Sequence, residues 1–149
     1  MSLKEKITED MRAALRSGDK AKLKLIRMLR SEIRYKEIDN GSELEDDDTI
    51  EVLSSALKKR KEAIEEFKKG GREDLVSQEE EELKIILSYL PEQLSQEDLE
   101  KLDDEKIAET DAQSPRDIGK VMRAVMPEVK GRADGKKVNH LVSLKLQGE

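Results

Sequence analysis

"GKVMRAVMPEVKGRADGKKVNHLV", residues 119–142, is the stretch whose reading decides how this chain folds. Val121, Met122, Val125 and Met126, preceded by Ile118, recur at spacings of three and four, so they gather on one side of an α-helix. Arg116, Lys120 and Arg123 fall on the opposite side. Pro127 predicts an end to that helix at Met126. Lys130 and Arg132 then lie in a loop loosened by Gly131, and Asp134 offers an N-cap for a second helix from about Gly135 to Leu146. Its Val138, Leu141, Val142 and Leu146 share one side, while Lys136, His140 and Ser143 point away. The stretch reads as two amphipathic helices with apolar faces turned in and cations turned out.

The same punctuation extends outward. Ser114, Pro115 and Asp117 supply an N-cap, a proline at the first helical position and a capping-box partner. Upstream, Ser95 and Asp98 open a helix whose apolar positions Leu99, Leu102 and Ile107 form a narrow face. Pro91, within "SYLPEQLSQED" (residues 88–98), breaks the preceding helix and marks a domain boundary. Residues 1–90 then form an N-terminal helical domain of about four helices. The first opens at Ser2 and Glu5, carries Leu3, Ile7, Met11 and Leu15, and stops at Gly18. The second runs from Asp19 to Asn40 with Leu23, Ile26, Leu29 or Arg30, and Ile33 on its apolar side. Asp48 and Glu51 predict the cap of a third, lined by Ile50, Leu53, Leu57, Ile64 and Phe67, and Leu75, Leu83, Ile86, Leu87 and Leu90 lie on a fourth. Residues 91–149 form the smaller C-terminal domain, and the fold class is all-α.

Composition limits what such a chain can do. Charged residues make up 43% of its 149 positions and aromatics 2%, so the core is built from Leu, Ile, Val, Met and Ala. There is no cysteine, which removes disulfides, thiolate metal sites and a thiol nucleophile. No apolar run approaches the roughly 20 residues needed to span a bilayer, and "MSLKEKITEDM" lacks a signal-peptide h-region. These features predict a cytoplasmic protein with no membrane association. The formal charge of −6 argues against nucleic-acid binding by the whole surface but leaves room for a local basic face.

Searches for catalytic patterns end in structural readings. "GRADGKK" has neither the spacing nor the hydroxyl residue of a P-loop, and "ELEDDD" lacks the glycine and terminal glutamate of an EF-hand. The run Glu79–Glu82 has no accompanying histidine motif. His140 is the single histidine, so neither a His-His metal site nor a histidine-assisted triad can form within one chain. The sequence therefore predicts no catalytic residue, no metal and no cofactor. It points instead to Arg116, Lys120, Arg123, Lys130, Arg132, Lys136, Lys137 and His140 as a surface for phosphate oxygens. Acids are sparse there, only Asp117, Glu128 and Asp134 between Arg116 and Lys137. With few aromatic stacking platforms, the shape and backbone of a folded RNA suit it better than single-stranded bases.

"YLPEQLS" (residues 89–95) and "DIGKVMRAVMPEVKGRADGKKVNHLV" (residues 117–142) resemble the YqeY-like proteins. Their C-terminal region is shared with the tail of the B subunit of tRNA-dependent amidotransferases. The resemblance implies an N-terminal helical domain followed by a small three-helix tail, and it associates the tail with gripping transfer RNA. It also implies that Lys120, Arg123, Lys130, Arg132, Lys136 and Lys137 match the tRNA-gripping tail. Asp103 and Asp104 depart from such tails, which more often continue an apolar stripe there. Three functions follow as expectations. One is a non-catalytic module binding tRNA or another folded RNA. The second is a protein-interaction module whose N-terminal helices dock on a protein partner. The third is an accessory to a glutamine-dependent carbon–nitrogen ligase that amidates tRNA.

Overall fold

The computed structural model describes residues 1–148. Among them the chain forms seven α-helices and one short 3-10 turn, and no strand, so the all-α reading holds. The chain divides into two compact units at the Leu90–Pro91 junction.

The first unit contains α1 (Leu3–Ser17), α2 (Lys20–Asn40), α3 (Asp46–Lys69) and α4 (Glu73–Leu87). Its punctuation is local chemistry. The Ser2 hydroxyl accepts the Glu5 amide at 3.1 Å and the Glu5 carboxylate accepts the Ser2 amide at 3.3 Å, satisfying two donors at the start of α1. Gly18 ends that helix at φ 74°, a left-handed conformation that favours glycine. Asp19 then caps α2 through the Lys22 amide at 3.1 Å. The core joins Ile7 of α1, Leu25, Ile26, Leu29 and Ile33 of α2, Leu53, Ala56 and Leu57 of α3, and Ile86 of α4. Tyr89 closes it: its ring is buried, its hydroxyl donates to Asp10 at 2.6 Å, and the Lys6 ammonium lies 5.7 Å from the ring centre. Burial and the neighbouring Asp10 carboxylate push the Tyr89 phenol above its ordinary range.

Three expectations for this unit change. Leu15 is exposed and Ala14 is buried in its place, because each step of four residues drifts about 40° around a helix and three steps carry Leu15 out of the core face. The third helix begins at Asp46, two residues before the expected cap, and Glu45 holds its N-terminus without a side-chain bond. Its first-turn acids Asp46, Asp47 and Asp48 still favour the positive end of the helix. The Asp46 carboxylate accepts the Leu3 amide at 2.9 Å and ties the start of α3 to the start of α1. The fourth helix ends at Leu87, and the chain to Leu90 tightens into short-range turns, with Tyr89 and Leu90 amides on Ile86 and Leu87 carbonyls at 3.0 and 3.1 Å.

The second unit packs α5 (Gln96–Glu109), the 3-10 turn Pro115–Asp117, α6 (Ile118–Val129) and α7 (Gly135–Leu146). Ser95 caps α5 through the Asp98 amide at 3.1 Å, and Asp134 caps α7 through the Lys136 amide at 3.1 Å. Val121, Val125 and Val129 of α6 meet Val138, Val142 and Leu146 of α7 and Leu99 of α5 in a separate core. Each valine so buried contributes roughly 1.5–3 kcal/mol relative to an exposed one. The approach segment is pinned as well: the Leu94 amide donates to the Arg132 carbonyl at 2.9 Å and the Gln93 side chain to the Gly131 carbonyl at 2.7 Å.

Pro127 does not end α6, which continues to Val129. The ring removes one amide donor from the final turn, and continuing the turn offsets that loss by burying Val129 completely. Met126 is 39% exposed and lies outside the core that the sequence assigned it. It rests at the start of α7, where a Cβ on Gly135 would lie 3.6 Å from its methyl. Asp103, one of the two departures on α5, is fully buried with neither carboxylate oxygen hydrogen-bonded. Asp104 stays outside, paired with Lys145 at 2.8 Å.

Candidate nucleic-acid interface

The eight residues singled out by sequence occupy three positions in the second unit. Arg116 sits in the 3-10 turn, and Lys120 and Arg123 follow on α6. Arg116 and Arg123 are exposed, and Lys120 is partly exposed beside Asp117 at 3.8 Å. Lys130 and Arg132 lie in the α6–α7 turn and are partly buried. Lys136, Lys137 and His140 are exposed along α7.

The packing decides which of these residues come together. α5, α6 and α7 touch one another pairwise, so each turns one stripe to a common axis and their outer faces diverge. α7 meets Met126 at its start and also touches the 3-10 turn that precedes α6, so it runs back along α6. Lys130, Arg132 and Lys136 therefore gather at the hairpin end of the unit. Arg116 and Lys120 lie toward the other end of a 12-residue helix, about 18 Å long. The cations therefore lie on the outer sides of both helices and at the turn between them rather than in one compact spot.

The scarcity of acids acquires a structural meaning. Asp117 accepts the Gln113 and Ser114 amides at 2.7 and 3.3 Å, which together with nearby Lys120 and Arg116 hold its carboxyl below the usual range. Glu128 receives the Lys106 ammonium of α5 at 2.6 Å, and bonds to Glu128 and Glu109 raise the Lys106 pKa. Asp134 caps α7. All three carboxylates within the basic stretch thus serve internal contacts. Acids concentrate instead on α5, which carries Glu97, Asp98, Glu100, Asp103, Asp104, Glu105 and Glu109.

Arg132 has a structural task that spacing could not reveal. Its guanidinium donates to the Glu92 carbonyl at 3.0 Å and the Glu128 carbonyl at 3.4 Å, clasping the approach segment to the end of α6. The sequence reading also passed over a basic surface in the first unit. A groove of about 660 Å³ between α1 and α2 is lined by Lys4, Arg27, Arg30 and Arg34. The available signal is arginines spaced by three and four in "RMLRSEIR", residues 27–34, a pattern that spacing alone does not separate from a solvated face in so charged a chain.

Among the described residues, no group of three or more His, Cys, Asp or Glu side chains could hold a metal ion. No described helix is long and apolar enough to cross a membrane.

Comparison with known proteins gives partial and near-complete matches. The chain is 39% identical over 85 residues to "Altered inheritance of mitochondria protein 41, mitochondrial" of Lachancea thermotolerans, covering 56% of this chain and 46% of the relative. A protein of the same name from Pyrenophora tritici-repentis is 28% identical over 130 residues, 86% of this chain and 71% of the relative. An uncharacterized protein of Schizosaccharomyces pombe is 32% identical over 94 residues, 63% of this chain and 76% of its own length. The chain spans about half the length of the first of these curated relatives. Relatives named as mitochondrial overturn the cytoplasmic location expected from the sequence, because neither missing cysteines nor a missing h-region distinguishes those compartments. The family described as Yqey-like protein matches residues 4–146, spanning both helical units, and the chain belongs to that family.

Proposed function

We propose that this chain is an RNA-binding module that grips tRNA or a similarly folded RNA through the basic surface of its second unit. The supporting observation is the internal use of Asp117, Glu128 and Asp134, which leaves exposed Arg116, Arg123, Lys136 and Lys137 in a stretch whose carboxylates are already engaged. Guanidinium and ammonium groups on outward helix faces meet phosphate oxygens without requiring base contacts. Binding is then governed by backbone shape and charge, as for structured RNA.

The test is titration of labelled tRNA with the full chain and with an Arg123→Glu/Lys136→Glu variant. Neither side chain takes part in the clasp, whereas Arg132→Glu would confound binding with folding. Weakening by tenfold or more supports the reading, and unchanged affinity removes it. A second reading, docking on a protein, is favoured by Tyr35 and Ile38, 79% and 69% exposed and three residues apart on α2. Partners that survive nuclease in a pull-down and are lost on Tyr35→Ser/Ile38→Ser would favour it.

A further inference from the structure

The geometry points to a second anion site, in the α1–α2 groove of the first unit, that takes a run of consecutive phosphates. It is independent of the RNA reading of the tail. Arg27, Arg30 and Arg34 lie within about 60° of one another around α2 and span about 10 Å along its axis. Lys4 faces them from α1, and Thr8 and Ser31 add hydroxyl donors to the same groove. Against these four cations the lining sets two carboxylates, Glu37 and Glu43.

Glu37 is committed inward. It is 8% exposed, pairs with Lys4, accepts the Leu44 amide at 2.9 Å and has Arg34 at 3.9 Å. It therefore holds the Lys4 and Arg34 charges in place beside the groove. Among the described residues, neither Arg27 nor Arg30 is ion-paired. The Arg30 guanidinium donates to the Met11 thioether at 3.0 Å, a weak acceptor that fixes the side chain and leaves most of its fork unused. The unpaired guanidiniums of Arg27 and Arg30, with the Glu37-held Arg34 beyond them and hydroxyls beside them, match phosphate oxygens, which accept planar bidentate donors. The row is longer than one phosphate needs. No Phe, Tyr or Trp lines the groove, so a nucleobase gains no stacking there and the phosphate chain is the part recognised.

Calorimetric titration of the full chain with inorganic tripolyphosphate at low salt tests this directly, with orthophosphate for comparison. Saturable binding of tripolyphosphate, tighter than orthophosphate, weakened about tenfold or more by Arg27→Gln/Arg30→Gln and unchanged by Arg123→Glu/Lys136→Glu, is the expected result. The single Arg27→Gln change breaks no hydrogen bond or ion pair among the described residues and guards against misfolding of the double variant. It is expected to weaken binding several-fold. ATP and a short RNA lacking a terminal phosphate assign the source: tighter binding of either than of tripolyphosphate names a phosphate ester or a polynucleotide strand. No saturable tripolyphosphate binding, or weakening by the tail variant alone, overturns the proposal.

Discussion

Replacing Asp103 with asparagine is expected to stabilise the second unit near neutral pH and to do nothing in acid. Asp103 is fully buried and neither of its oxygens has a hydrogen-bond donor. Burial raises its pKa from 3.8 to about 6, assisted by Asp104 and Glu100 and opposed by Lys145. A shift of about two units at about 1.4 kcal/mol each makes the ionised form cost about 3 kcal/mol of folding free energy. Because the folded pKa lies above the unfolded one, the penalty is absent below about pH 4, grows through about pH 5 and is complete above about pH 6. Asparagine has nearly the same shape and behaves as a permanently neutral carboxyl, so the expected gain is about 2–3 kcal/mol at about pH 7, falling to near zero at about pH 4. Its amide dipoles remain unpaired, which limits any further gain. Urea unfolding at both pH values, with hydrogen exchange on α5–α7 amides to isolate this unit, reads the difference. A loss of stability at neutral pH, or an equal gain at both values, would refute the buried unpaired charge.

The first unit should respond to acid in the opposite sense. Lys4 and the Leu44 amide hold the Glu37 carboxyl below its ordinary value, so its contribution is full above about pH 4.5 and is lost as pH falls through the folded pKa. Glu37→Gln is expected to cost roughly 2 kcal/mol near neutrality by stranding Lys4, with exchange of α1 and α2 amides as the readout. Pro127→Ala restores an amide donor in the last turn of α6 and should stabilise the unit by about 1 kcal/mol in urea unfolding. Destabilisation would show that the ring itself packs in place. Arg60 is buried, donates to the Ala56 carbonyl at 3.2 Å and lies 3.6 Å from Glu82. Arg60→Ala should cost about 2–4 kcal/mol in thermal or urea unfolding, and a change below about 0.5 kcal/mol would show that this pair contributes nothing.

What the sequence revealed was the chemistry that acts within one turn of helix. Ser2 with Glu5, Asp19, Ser95 and Asp134 all cap where their spacing predicts, because each bond joins residues two or three apart. Valines at steps of four on α6 likewise mark its buried face. Features decided by distant packing were not legible. Asp103 carries the chemistry of a surface residue, and only the α5–α6–α7 arrangement buries it. Pro127 reads as a stop, yet Val129 is drawn into the core and the last turn tolerates the missing amide. The clasp made by Arg132 depends on carbonyls at Glu92 and Glu128, whose approach no local pattern encodes. The Arg27–Arg30–Arg34 row was visible as spacing, but its meaning needed α1 to bring Lys4 and Thr8 beside it.

The most direct test of the central claim is the salt dependence of tRNA binding by the wild-type chain and by Arg123→Glu/Lys136→Glu. If the basic surface neutralises backbone phosphates, affinity falls steeply as salt rises, and removing two cations lowers the log–log slope by about 2. Binding that is absent at low salt, or a slope identical in the two proteins, would contradict an RNA-gripping tail.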